Sequence, residues 1–197
     1  MTLWKSSALI AFVLVLLLAG CGGDGRPDPT STVKTTAEPG DPHVLEPMTT
    51  GRDIVAPDGR YSLRIPGEWV EYDDPFAELS FRTVAEDPAL AINVNRDEID
   101  ESTRVQVYAE EARARISRTY RNVNSLSLTP VKIGSMEAYR WIYTAAVGTI
   151  EHLFYQVFLI DAGEGFVLTG SAPIDVDIDL VRPIFDGIAG SMTFARG

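Results

Sequence analysis

The chain has 197 residues, of which 28 are acidic and 17 basic, for a formal net charge of −11. That balance argues against a nucleic-acid partner, because phosphate contacts need clustered Lys and Arg, and against a domain lying flat on anionic lipid headgroups. Its one cysteine excludes an internal disulfide, so the folded part must be held by its core.

Residues 1–20 carry a lone Lys5, an unbroken apolar run from Ala8 to Leu18, and small residues at Ala19 and Gly20. The run is too short to cross a bilayer as a helix, which takes about 20 apolar residues, and its zoning is that of a secretory signal peptide. Cys21 follows at once, flanked by glycines and with no core to join. Leu18-Ala19-Gly20-Cys21 resembles the lipobox of bacterial lipoproteins. The resemblance implies that the Cys21 thiol takes a diacylglycerol and becomes residue one of the mature chain. The expected localisation is then the cell membrane, lipid-anchored through acyl chains on Cys21 and facing outward into the cell envelope.

Residues 21–52 read as the lipidated cysteine and a flexible linker. Among positions 22–52 are five Gly, five Pro and seven Ser or Thr, too little apolar surface to offset the entropy of ordering. A flexible chain of that length reaches about 30 Å. His43 falls in this stretch and is expected to be solvated.

Residues 53–197 suit one domain with one core. Positions 60–65 alternate after the Asp58-Gly59 turn signal and predict a strand, with further strands at 78–84 and 89–95. Over 102–120 the period changes: Val105, Tyr108, Ala112, Ile116 and Tyr120 recur at helical spacing, with Ser102 or Thr103 placed to cap the start. Strands follow at 126–133, 136–147, 150–160 and 166–172, joined by tight turns into an antiparallel meander. The middle strands are apolar on both faces, so both faces should be covered. The two helices available are 102–120 and one near 177–190 with Leu180, Ile184 and Ile188 at four-residue steps. The expected fold is α+β, an antiparallel sheet flanked by helices on both faces.

Ile65-Pro66-Gly67-Glu68-Trp69, the long helix, the meander and a short C-terminal helix ending in Ser191-Met192-Thr193-Phe194 together resemble the PsbP and Mog-type α/β/α sandwich, whose bacterial members include lipoproteins of the LpqN and DcrB kinds. The resemblance implies a binding or accessory role rather than catalysis.

Motifs for chemistry are scarce. Asp175, Asp177 and Asp179 have the first spacings of a calcium loop, but Leu180 and Asp186 stand where Gly and Glu are required, so these acids are read as favouring a helix N-terminus. His152 has no Cys or second domain His for a zinc site. No Gly-x-Ser-x-Gly elbow, P-loop or dinucleotide fingerprint occurs, and the Asp73-Asp74 pair reads as solvated. No catalytic residue, metal or cofactor is implied. Recognition remains, and the candidate partner-binding residues are Trp69, Tyr72 and Phe76, which share the 66–76 stretch with Glu68, Glu71, Asp73 and Asp74 as aromatic anchors with a polar rim. The expected partner is an envelope protein. The alternative is a carrier or chaperone for an apolar small molecule or lipid, which needs a cavity of about 300 Å³ or more.

Overall fold

A computed structural model describes residues 42–84 and 88–195; the expected signal peptide and Cys21 lie outside them. The fold is mixed α+β, with two helices and a large sheet that is antiparallel in all but one pairing.

The chain enters the described residues through β1 (His43–Val44), which pairs in parallel with β7 (Arg121–Ile133). Leu45 then donates its N–H to the Lys132 carbonyl at 2.8 Å and is buried, and Met48 N–H reaches the Gly187 carbonyl at 2.9 Å. A linker ending at residue 52 is therefore too long: the last part of it belongs to the domain, while His43 itself is exposed. The segment lies so close over helix α2 (Ile178–Gly190) that a Cβ on Gly190 would stand 2.6 Å from the Leu45 carbonyl oxygen.

β2 (Arg52–Val55) and β3 (Tyr61–Ile65) form a hairpin whose turn is closed by Gly59 at φ +72° and by Arg60 N–H on Asp58 Oδ1. Tyr61, Leu63 and Ile65 alternate inward. With β11 (Thr193–Phe194) the hairpin makes a separate three-stranded sheet, ordered β11-β3-β2.

The larger sheet has the order β1-β7-β8-β9-β10-β6-β5-β4, with β4 at Val70–Glu71, β5 at Leu79–Arg82, β6 at Ala91–Glu98, β8 at Met136–Val147, β9 at Ile150–Asp161 and β10 at Glu164–Pro173. Strands β7 to β10 are the expected meander, and its turns are two residues each. Gly134, Gly148 and the Ala162-Gly163 pair supply the positive φ that hairpins of this length need.

Helix α1 (Val105–Thr119) links β6 to β7. It starts later than the sequence suggests. Ser102 and Thr103 are held by Asp100 in the preceding turn, and Arg104 stands at the N-cap without a side-chain hydrogen bond. Asp177 caps α2 by accepting the Asp179 N–H at 2.9 Å, which explains this acid at a helix start.

Two buried clusters divide the apolar residues. One contains Ala138 and Ile142 of β8, Tyr155, Val157 and Leu159 of β9, Phe166 and Leu168 of β10, and Val181, Phe185 and Ile188 of α2. The other contains Trp141, Tyr143 and Ala145 of β8, Phe154 and Phe158 of β9, Val167 of β10, and Val105, Tyr108, Ala112 and Ile116 of α1. The two sets use alternate residues of the same strands, so they lie on opposite sides of the sheet.

Candidate functional site

The candidate loop does not place its three rings together. Pro66 to Trp69 form a turn, with Trp69 N–H on the Pro66 carbonyl at 3.2 Å, and Arg52 donates to the Trp69 carbonyl at 2.8 Å. The Trp69 ring is only 3% exposed and belongs to the apolar core. As an interface anchor Trp69 is corrected: its hydrophobic area is already spent on packing. Tyr72 is half-buried, with the Arg82 guanidinium over its ring at 5.6 Å. Burial first, and then the negative charge of Asp74, push its hydroxyl pKa up to about 12. Phe76 alone stands out, at 50% exposed.

Asp74 is a second correction, because it is buried rather than solvated. Its carboxylate accepts the Phe76 N–H at 3.0 Å and so shapes the turn that presents Phe76. Two further bonds strap the loop to β5, Tyr72 N–H to the Ser80 carbonyl and Ser80 Oγ to the Tyr72 carbonyl. Asn95 of β6 donates its side-chain amide to the Phe76 carbonyl. Phe76 is thus held out on a fixed backbone.

Beside this loop the sheet carries an unexpected polar row. Gln156 of β9, Thr169 of β10, Asn93 of β6 and Ser80 of β5 lie directly opposite one another across four strands, and all are buried. Gln156 is 0% exposed; its Nε2 donates to Thr169 Oγ1 at 3.1 Å, while its Oε1 has no partner, and neither has Asn93 Oδ1. An unpaired buried acceptor costs about 1–3 kcal/mol, so apolar residues here would stabilise the fold better.

Gln156 borders a cleft between α1 and the sheet. Arg115, Ile116, Thr119 and Tyr120 form the α1 side, and Asn95, Asp97 and Val167 form the strand side. The cleft volume is about 30 Å³, enough for a water or two and about tenfold below what an apolar cargo needs. Asp97 accepts the Tyr108 hydroxyl at 2.6 Å, which fixes α1 against β6.

The polar groups are acceptors in search of donors and include no nucleophile with a base. His152 is half-buried, and burial pushes its pKa down. It lies four residues along β9 from Gln156, roughly 13 Å at strand rise. Among the described residues no group of His, Cys, Asp and Glu is placed to hold a metal ion.

The sequence reading missed this row, although one signal was available. Asn93, Asn95 and Asp97 alternate along a strand whose other face, Ile92 and Val94, is apolar. Polar alternation on a strand expected to be covered on both sides marks either a wet face or a site.

A seven-strand antiparallel run with one helix joining β6 to β7, and a hairpin and a C-terminal helix packed in the other cluster, is the PsbP/Mog-like fold. Three solved structures share it. Cyanobacterial PsbP (CyanoP) from Synechocystis sp. PCC 6803 matches over 73% of this chain and 92% of its own, at 16% identity and TM-score 0.57. LpqN, involved in cell envelope biogenesis of Mycobacterium tuberculosis, matches over 74% and 90%, at 13% identity and TM-score 0.51. The Ran-binding protein Mog1p of Saccharomyces cerevisiae matches over 74% and 95%, at 6% identity and TM-score 0.52. At these identities the likeness is one of fold. No family model and no curated protein matches the chain.

Proposed function

We propose that the chain is a lipid-anchored, non-enzymatic accessory module of a bacterial cell envelope, and that it binds a partner protein through Phe76 and the adjoining polar cleft. The carrying observation is the rigidly held, half-exposed Phe76 ring, whose backbone carbonyl takes the amide of Asn95 at the rim of the cleft. An exposed aromatic ring on a fixed backbone is the make-up of an interface anchor. The neighbours with names for binding or envelope roles, Mog1p and LpqN, support recognition over chemistry. The small cleft weighs against an apolar cargo.

In this reading the domain is an α/β/α sandwich, α1 covering one face of the sheet and α2 with the small sheet covering the other; the alternation of the two clusters supports it. Residues 1–20 are the signal peptide, and Cys21 carries the acyl chains. Strand order supports an outward-facing site. The chain enters at β1, and the Phe76 loop joins β4 to β5 at the other edge. Eight strands leave a separation of about 33 Å between the edges.

Two experiments test the parts separately. Phe76→Ala and Gln156→Leu should each lose a partner recovered from the envelope by the wild type, with melting preserved for the first and unchanged or raised for the second. Leu180→Ala, a still more exposed apolar site on α2, should keep it. If all three variants retain the partner, the site is elsewhere. For the anchor, Cys21→Ser should move the protein from the detergent phase to the aqueous phase on extraction. Wild type already in the aqueous phase would refute lipidation.

A further inference from the structure

We propose that a second surface, the basic end of α1 with the start of β7, docks an acidic segment of a partner protein. It goes beyond the Phe76 site, with which it shares the cleft lined by Arg115 and from which it differs in its exposed residues and in charge.

The chain is acidic, yet its acids are absent from one stretch. Between Ala112 and Met136 there are five cations, Arg113, Arg115, Arg118, Arg121 and Lys132, and no Asp or Glu. Arg113, Arg115 and Arg118 lie in the last two turns of α1, which ends at Thr119, and Arg121 begins β7.

Elsewhere in the described residues, five of the eight arginines are matched with carboxylates, and Arg52 and Arg82 lie over aromatic rings. Arg60, Arg64, Arg96, Arg140 and Arg182 all make ion pairs, at distances from 2.6 to 2.9 Å. None of Arg113, Arg115, Arg118 and Arg121 does so among these residues. Arg113 lies over the Trp141 ring at 6.0 Å, which orders it without neutralising it. Arg118 in the last turn complements the helix dipole, but that accounts for one guanidinium of the four. Acids that neighbour the patch have other partners or none: Glu110 accepts from Gln106, Glu151 from Asn122 and Asp97 from Tyr108, while Glu111, one turn before Arg115, makes no ion pair with it.

Guanidinium groups bind carboxylates through paired hydrogen bonds. Arg115 also lines the cleft that holds the unpaired Gln156 Oε1. Position favours a protein over a lipid phosphate. The chain's own entry strand pairs with β7 at Val131 and Lys132, whereas Arg121 is ten residues back along that strand, roughly 33 Å away.

The test uses the full chain in detergent and a fluorescent eight-residue peptide alternating Glu and Ser. Binding should be measurable at low salt and weaken as salt screens it. Arg118→Glu combined with Arg121→Glu, both at exposed positions, should bind about tenfold or more weakly while melting like wild type. The same variant should gain affinity for the Lys-Ser counterpart. Arg182→Glu and Phe76→Ala should leave acidic-peptide binding unchanged, which separates this surface from the Phe76 site. Equal binding of the acidic peptide by wild type and the double variant would overturn the proposal. So would an Arg118- and Arg121-dependent attachment to phosphatidylglycerol vesicles with no peptide binding, which would assign the patch to the membrane.

Discussion

Trp141→Ala should destabilise the domain by about 3–5 kcal/mol, the largest loss expected from any one ring. The indole is 0% exposed at the centre of β8. It stacks on Tyr143 with ring centroids 3.8 Å apart, and Tyr143 stacks in turn on Phe154 at 5.1 Å. Nε1 donates to Ser125 Oγ at 2.9 Å, so truncation also leaves that hydroxyl without its donor. A domain of this size has about 5–15 kcal/mol in all, and the melting temperature should fall by roughly 10 °C. Trp141→Phe should lose much less, because a ring remains to stack on Tyr143. A Trp141→Ala protein that melts within about a degree of wild type would show that α1 does not seal this face.

Asp186→Ala should be nearly as costly, for an electrostatic reason. Asp186 projects from α2, and its carboxylate accepts Arg140 Nη1 on both oxygens at 2.9 Å and the Tyr155 hydroxyl at 2.5 Å. Both charged side chains are largely buried, at 13% and 18% exposure. Burial, and then the charge of Asp186, push the Tyr155 pKa well above its ordinary value. Removing the carboxylate strands the Arg140 guanidinium, whose Nε already lacks a partner. Breaking such a pair costs about 3–5 kcal/mol. The double variant Arg140→Met with Asp186→Leu should recover most of the loss, since the remaining penalty is that of one unpaired hydroxyl. Denaturant midpoints for the two variants check this. A double variant as unstable as Asp186→Ala would mean that the pair contributes more than the avoidance of a buried lone charge.

The meander was legible because each of its signals is local. Apolar and aromatic alternation marks β8 to β10, and Gly134, Gly148 and Gly163 mark turns that need positive φ. Periodicity likewise separates α1 from the strands around it. The start of α1 was misplaced because Ser102 and Thr103 could cap a helix but are held in the preceding turn by Asp100. The domain boundary was missed because Leu45 and Met48 look like isolated apolar residues in a Pro- and Thr-rich stretch. They become core only through the close approach that Gly187 and Gly190 of α2 permit.

The candidate site divides along the same line. Composition alone drew attention to Trp69, Tyr72 and Phe76 as one aromatic stretch, but the side on which each ring falls depends on the turn from Pro66 to Trp69 and on the Asp74 bond to Phe76. The polar row depends on more distant relations still. Ser80, Asn93, Gln156 and Thr169 become neighbours only when β10 pairs with both β9 and β6 in one register, and a one-residue slip would turn each to the opposite face. Local sequence determined the strands, the turns and the helical period, because those follow from side-chain alternation and backbone φ preferences within a few residues. Tertiary structure decided which aromatic is buried, which acceptor is left unpaired and where the unmatched arginines gather, because burial, hydrogen-bond satisfaction and charge pairing are properties of neighbours that the chain brings together from far apart.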